Sequence, residues 1–211
     1  MNIAVIGIGN VGRTLGRRWV EAGHQITFGV RNPDDPKRLA QAQAAKAPLV
    51  SIAEAAANAE VVVLAVPWPA VNDAIAAAGN LSGKVLLDCT NPLKGDLSGL
   101  EVGLDTSAGE QVAQAARGAL VVKIFNTTGA GNMADPHYGN VRLTMLYAGD
   151  DAQANATAAR LAQDIGFDPI CVGPLSASRL LEPLALAWIR LAYSEHLGTD
   201  FAFNVIRRPK G

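Results

Sequence analysis

A doubly wound α/β protein, built on a mostly parallel sheet, is the fold class this sequence predicts, and three observations predict it. Short runs of Val, Ile and Leu recur along the chain with helix-forming stretches between them. Several of these runs, such as Val61–Val66 and Val85–Leu87, are apolar at consecutive positions, the pattern of parallel strands covered on both faces. The first run opens directly onto a glycine-rich turn at the head of a helical stretch.

Taken in order, strands are expected at Ile3–Ile6, Gln25–Phe28, Val61–Val66, Val85–Leu87, Leu120–Ile124 and Leu143–Tyr147. Helices are expected at Val11–Ala22, Pro36–Ala45, Ile52–Asn58, Val71–Ala78 and Gly109–Arg117, all rich in Ala and other helix formers. After Gly149 the pattern changes. Asp150 is placed to cap a helix running through Ile165, and a short run follows near Pro169–Val172. A last helix from Ser176 carries Leu180, Leu184, Trp188 and Leu191 at helical spacing, with Pro183 early enough to permit a mild bend. The division expected is residues 1–148 as a nucleotide-binding domain and 149–211 as a small C-terminal helical cap.

The 211 residues carry 18 Lys+Arg against 19 Asp+Glu, a net charge of −1, which leaves no cationic excess for a phosphate backbone and argues against nucleic acid as a partner. Cys89 and Cys171 stand far apart, without a CxxC or a histidine cluster, so neither a disulfide framework nor a metal site is expected. No apolar run reaches the length of a membrane helix, and Met1–Gly7 lacks the basic start of a signal peptide. A cytoplasmic setting is expected, and the apolar last helix suggests a homodimer.

The turn after the first strand reads Gly7-Ile8-Gly9-Asn10-Val11-Gly12, a G-x-G-x-x-G between strand and helix, and Gly23-His24 then leads into the second strand. Gly7 permits the tight turn, Gly9 lets the backbone approach a pyrophosphate, and Gly12 allows close packing of helix on strand. The helix N-terminus adds free N–H groups and the positive end of its dipole. This is the fingerprint of a Rossmann-like dinucleotide site. At the end of the second strand, Gly29-Val30-Arg31-Asn32 offers no carboxylate for the ribose hydroxyls of NAD, whereas Arg31 can fork onto a 2′-phosphate. NADP(H) is the expected cofactor; Asp34 and Asp35 nearby leave open a merely solvated Arg31.

Ligands of such sheets sit beyond the carboxyl ends of the strands, where Val66-Pro67-Trp68, Thr90-Asn91-Pro92 and Asn126-Thr127-Thr128 should converge. These groups are neutral or apolar, which suits hydride transfer between two rings, with the protein supplying alignment and exclusion of water. Reduction of a carbonyl would want a proton donor. His137 in a loop and Lys123 in a strand are the candidates, while His24, His196 and Tyr193 read as structural or surface groups and Cys89 as a buried thiol.

Together, Gly7–Gly12 with Gly29-Val30-Arg31, Val66-Pro67-Trp68, and Gly173-Pro174-Leu175-Ser176 running into Ser178-Arg179-Leu180-Leu181-Glu182 resemble the deazaflavin-dependent NADP reductases, whose acceptor is coenzyme F420. The cytoplasmic reductase domains of the six-transmembrane metalloreductases look similar. The resemblance implies that Ile8–Val11 line the pyrophosphate, Val30 and Arg31 the 2′-phosphate, and Pro67-Trp68 the nicotinamide side of the cleft. It also implies that the last helix near Glu182–Leu184 closes over the acceptor. The function expected is an NADP-dependent oxidoreductase exchanging hydride with a flavin-like or deazaflavin (F420) acceptor. The alternatives are a non-catalytic NADP-binding sensor or scaffold, which would bind NADPH without turnover, and a reductase of a small imine or keto compound.

Overall fold

The computed structural model describes residues 1–103 and 105–208; the last three residues of the C-terminal segment lie outside them. Eight strands form one sheet: β1 (Asn2–Ile6), β2 (Gln25–Val30), β3 (Leu49–Ser51), β4 (Val61–Leu64), β5 (Val85–Asp88), β6 (Leu120–Lys123), β9 (Thr144–Gly149) and β10 (Asp168–Cys171). Their order is β10-β9-β6-β5-β4-β1-β2-β3. Every pair is parallel except β6 with β9, where Val122 faces Gly149 and Lys123 faces Ala148. A separate two-stranded hairpin, β7 (His137–Tyr138) and β8 (Val141–Arg142), interrupts the chain before β9.

The helices are α1 (Asn10–Glu21), α2 (Pro36–Ala44), α3 (Ile52–Ala57), α4 (Val71–Ala78), α5 (Ala108–Ala115), α6 (Ala130–Ala134), α7 (Ala152–Asp164) and α8 (Ser178–Ile189). Asp35, Ser51, Ser107 and Asp151 cap the N-termini of α2, α3, α5 and α7. The cap of α7 is thus Asp151, which accepts from the Ala154 N–H; Asp150, one residue too early to reach it, accepts instead from the Leu175 N–H at 2.9 Å.

Strand periodicity divides the core. Ile3, Val5, Val61 and Val63 point to one face, under Trp19 of α1 and Leu161 of α7, while Ala4, Ile6, Val62 and Leu64 point to the other, under α3, α4 and α5. The two sides are closed by different means. On the first, Trp19 donates its indole N–H to the Leu161 carbonyl at 2.9 Å and stands edge-on to Phe125, which in turn meets Phe167. On the second, small Ala side chains let the helices lie close on the sheet.

After Gly149 the chain adds α7 and the edge strand β10 to the sheet before α8 begins. The inward face of α8 is Ser178, Leu181, Glu182, Ala185 and Trp188, so of the Leu180, Leu184, Trp188 and Leu191 stripe read from the sequence only Trp188 is buried; Leu184 and Leu191 are half-buried and Leu180 is 68% exposed. A leucine stripe names the core only when no charge competes for it; here Glu182 goes inward because a cation waits there. Past a π-helical turn, Arg190–Ser194, the tail folds back. The Phe201 carbonyl accepts from Trp188 Nε1 (3.0 Å) and Asn132 Nδ2 (2.8 Å), and the two rings of Trp188 and Phe201 stack at 5.1 Å.

Candidate active site

The strand order reverses between β1 and β4, and a cavity of about 490 Å³ opens there at the carboxyl ends of the strands. Its lining includes Ile6–Gly9, Gly29–Arg31 and Ala65–Pro67, together with Asp35, Lys37, Arg38 and Gln41 of the second crossover. Of the residues singled out in the sequence, Gly7, Ile8, Gly9, Val30, Arg31, Val66 and Pro67 are brought together on this one cavity.

The three glycines of the turn differ physically. Gly7 has φ +101°, and a Cβ there would meet the Ala65 carbonyl oxygen. A Cβ on Gly12 would strike the Gly7 carbonyl oxygen. A Cβ on Gly9 would meet nothing within 4 Å beyond its chain neighbours, and its φ of −69° suits any residue, so the fold does not require glycine at this position. Gly9 is also the N-cap of α1 without a capping side chain, and the first intrahelical bond runs from the Arg13 N–H. The N–H groups of Asn10, Val11 and Gly12 therefore lack partners within the helix. A bare helix N-terminus beside open space fits a diphosphate.

At the other end of the cavity Arg31 is exposed and makes no salt bridge among the described residues. Neither nearby carboxylate pairs with it among the described residues: Asp35 accepts from the Lys37 and Arg38 N–H groups of α2 and lies 3.7 Å from Arg38 Nε, and the Asp34 N–H donates to Asn32 Oδ1 in the intervening turn. Lys37 and Arg38 bring two further cations to the lining, which the sequence reading missed. Their signal was Pro36-Lys37-Arg38 opening a helix just after the second strand, where a first turn faces the same crevice.

The remaining predicted residues stand away from that lining. Trp68, in a 3₁₀ turn with Pro69 and Ala70, is half-buried and packs on the core under α4 and α5. Asn91 and Asn126, at the ends of β5 and β6, bond to each other: Asn91 Nδ2 donates to the Asn126 carbonyl (2.9 Å) and Asn126 Nδ2 to Asn91 Oδ1 (3.1 Å). Pro92 and Thr127 are buried beside them, while Thr128 Oγ1 accepts from Asn132 Nδ2. Leu184 is half-buried on α8. Glu182 does not face an open cleft: it is 1% exposed and lies 3.0 Å from Lys123 Nζ.

Lys123 itself is fully buried with Asp88 and Glu182. Burial alone would lower its pKa, but the two carboxylates outweigh this and hold the ammonium above its ordinary value. Cys89 is pushed far up, by burial first and by Asp88 second, and is an inert thiol. His137 is exposed and bonded to Asp135, and His24, in the turn between α1 and β2, pairs with Asp164 at the end of α7; neither touches the cavity. The described part of the site thus offers cations, backbone donors and apolar walls, and no proton donor among the histidines.

No helix among the described residues is long and apolar enough to cross a membrane, and no cluster of metal-ligating side chains occurs among them. Residues 2–92 match the model of a family described as NADP oxidoreductase, coenzyme F420-dependent. The chain is 31% identical over 207 residues to the F420-dependent NADP reductase of Methanothermobacter marburgensis, covering 90% of this chain and 92% of the relative. It is 30% identical over 185 residues to the rat metalloreductase STEAP3, where it spans only 36% of the relative's length. Among solved structures, a candidate F420-dependent NADP-reductase from Arthrobacter sp. FB24 superposes with a TM-score of 0.89 at 34% identity, covering 98% of this chain and all of the other. A reductive aminase from Aspergillus terreus, at 21% identity and a TM-score of 0.66, shares the fold.

Proposed function

We propose, from the premise that the chain belongs to the coenzyme F420-dependent NADP oxidoreductase family and is an NADP-dependent oxidoreductase, that it exchanges hydride between NADP(H) and a deazaflavin of the F420 type. The observation that carries this reading is a likeness to an F420-dependent NADP reductase that extends over nine-tenths of both chains, with a cavity at the expected crevice.

When bound, the reduced nicotinamide would supply a hydride that a deazaflavin ring can accept at carbon, and the accompanying proton comes from solvent. The residues of the chain bind, align and exclude water. Gly7–Gly12 and the N-terminus of α1 would hold the diphosphate. Val30, Arg31 and Asn32, joined by Lys37 and Arg38, would receive the 2′-phosphate. Val66, Pro67 and Trp68, with Asn91 and Pro92, would frame the nicotinamide, and Asn126–Thr128 and the α8 wall near Leu184 the acceptor. A site without an aimed acid suits an acceptor that needs none.

Anaerobic mixing of the protein with NADPH and F420, followed by loss of the F420 absorbance, tests the reading; absence of turnover with F420 alongside turnover of another acceptor would overturn it. The likeness to a metalloreductase makes a ferric chelate with free flavin the second acceptor to include. Arg31→Ala is expected to weaken NADPH at least tenfold while leaving NADH nearly unchanged, since a charge-assisted contact to the 2′-phosphate amounts to roughly 1.5–3 kcal/mol. Equal losses for the two dinucleotides in fluorescence titrations would remove Arg31 from the phosphate site.

A further inference from the structure

Three elements reach one buried cation. Lys123, the last residue of β6, donates from Nζ to Asp88 Oδ2 on β5 at 2.9 Å and to the Thr90 carbonyl just beyond it at 2.6 Å, and lies 3.0 Å from Glu182 Oε1 on α8. An ammonium has three N–H donors, and this set uses all of them. Glu182 also accepts from the N–H groups of Ala108 and Gly109, both at 3.0 Å, in the first turn of α5. Lys123 and Asp88 are 0% exposed and Glu182 1%, so none of them touches a ligand.

What they hold does bear on the crevice. Leu181, next to Glu182, offers its carbonyl to Asn126 Nδ2 at 3.3 Å, and the same Nδ2 donates to the half-buried Asn91. Asn126 Oδ1 is buried and has no hydrogen-bond partner. The orientation of this carboxamide therefore rests on its Nδ2, and so on where α8 places the Leu181 carbonyl. The backbone just before it is strained: Phe125 has φ +61°, a conformation a bulky residue keeps only where its surroundings enforce it. Trp19 and Phe167 clamp its ring from below. The ends of β5 and β6 are thus set from one side by an aromatic cluster and from the other by the ion cluster.

The strand order consists of two mononucleotide-binding halves, β3-β2-β1 and β4-β5-β6. The cavity with Gly9 and Arg31 serves chiefly the first half, whereas Asn91 and Asn126 stand at the ends of the second. Resting on the reading that NADP(H) occupies this crevice, we propose that Lys123 and Glu182 are positioning residues for the nicotinamide half of the dinucleotide, acting through Leu181, Asn126 and Asn91.

Two ligands separate the halves: NADPH, and 2′,5′-ADP, which lacks the nicotinamide riboside phosphate. In Glu182→Gln, which keeps the volume and removes the charge facing Lys123, the Kd of NADPH is expected to rise about tenfold and that of 2′,5′-ADP to stay within about twofold. Calorimetric titrations are made below the melting transition of each variant. Equal changes in the two constants, or none in either, overturn the proposal. Should Glu182→Gln not fold, Asn126→Ala, which touches no charge, is expected to give the same split, and its absence there overturns the proposal equally. Where both variants fold, the double variant should be no worse for NADPH than the worse single one, because both act along one chain of contacts; additive losses count against it. A wild-type chain that binds neither ligand overturns the dinucleotide reading itself, a result distinct from binding without the split.

Discussion

Lys123→Met is expected to lower the free energy of unfolding by about 3–5 kcal/mol, the penalty for breaking a buried ion pair from one side. Methionine nearly fills the volume, so the loss is electrostatic: Asp88 and Glu182 stay inside without the cation between them, and the Thr90 carbonyl loses its donor. Against a total stability of about 5–15 kcal/mol this is a large share. The folded-state pKa of Lys123 is raised, so its stabilisation is complete below the ordinary value of 10.5 and is lost only as pH rises through the higher folded value. The gap between variant and wild type should therefore be wide at neutral pH and narrow only in strong alkali. Urea titrations at several pH values check both points; a loss under about 1 kcal/mol at pH 7 would show that the cluster is dispensable to the fold.

Gly9→Ala is expected to do the reverse, sparing the fold and removing the cofactor. No atom beyond the chain neighbours lies within 4 Å of the added methyl group, and φ of −69° is open to alanine. Stability should change by no more than about 1 kcal/mol, the slightly poorer cap being offset by a less flexible unfolded chain. NADPH affinity should fall at least about tenfold, because the methyl group stands where a diphosphate must approach the N–H groups of α1. Gly12→Ala is the matched control. Its Cβ would collide with the Gly7 carbonyl, so it should melt earlier whether or not NADPH is added. Melting curves with and without NADPH distinguish the two. A Gly9→Ala protein stabilised by NADPH as strongly as wild type would rule out this helix end as the diphosphate site.

The glycine turn and Arg31 were legible in the sequence because each lies within one βαβ unit, where spacing along the chain nearly fixes spacing in space. Lys37 and Arg38 belong to the same unit, and only their place in the first turn of the helix after the second strand, not their identity, separates a lining cation from a solvated one. The direction of β9 was not legible: a short apolar run looks the same whichever way it pairs. The ion cluster was hidden for a further reason. Its members come from β5, β6 and α8, and a lone Lys inside a strand shows its purpose only when the carboxylates are seen beside it. That concealment also explains α8, whose leucines suggested an inward face one residue removed from the one that Glu182 dictates. Glu182, expected from the family resemblance to stand over an acceptor, is drawn inward by the same pairing.

The place of Glu182 after Asp88 and Lys123 in the sequence has a consequence for synthesis. Asp88, Lys123 and the first turn of α5 leave the ribosome well before α8 does, so a growing chain carries an ammonium and two backbone N–H groups that still lack their last acceptor. Closure of the cluster waits for α8, and a product cut short before it leaves the translation machinery with a buried cation that lacks its last carboxylate.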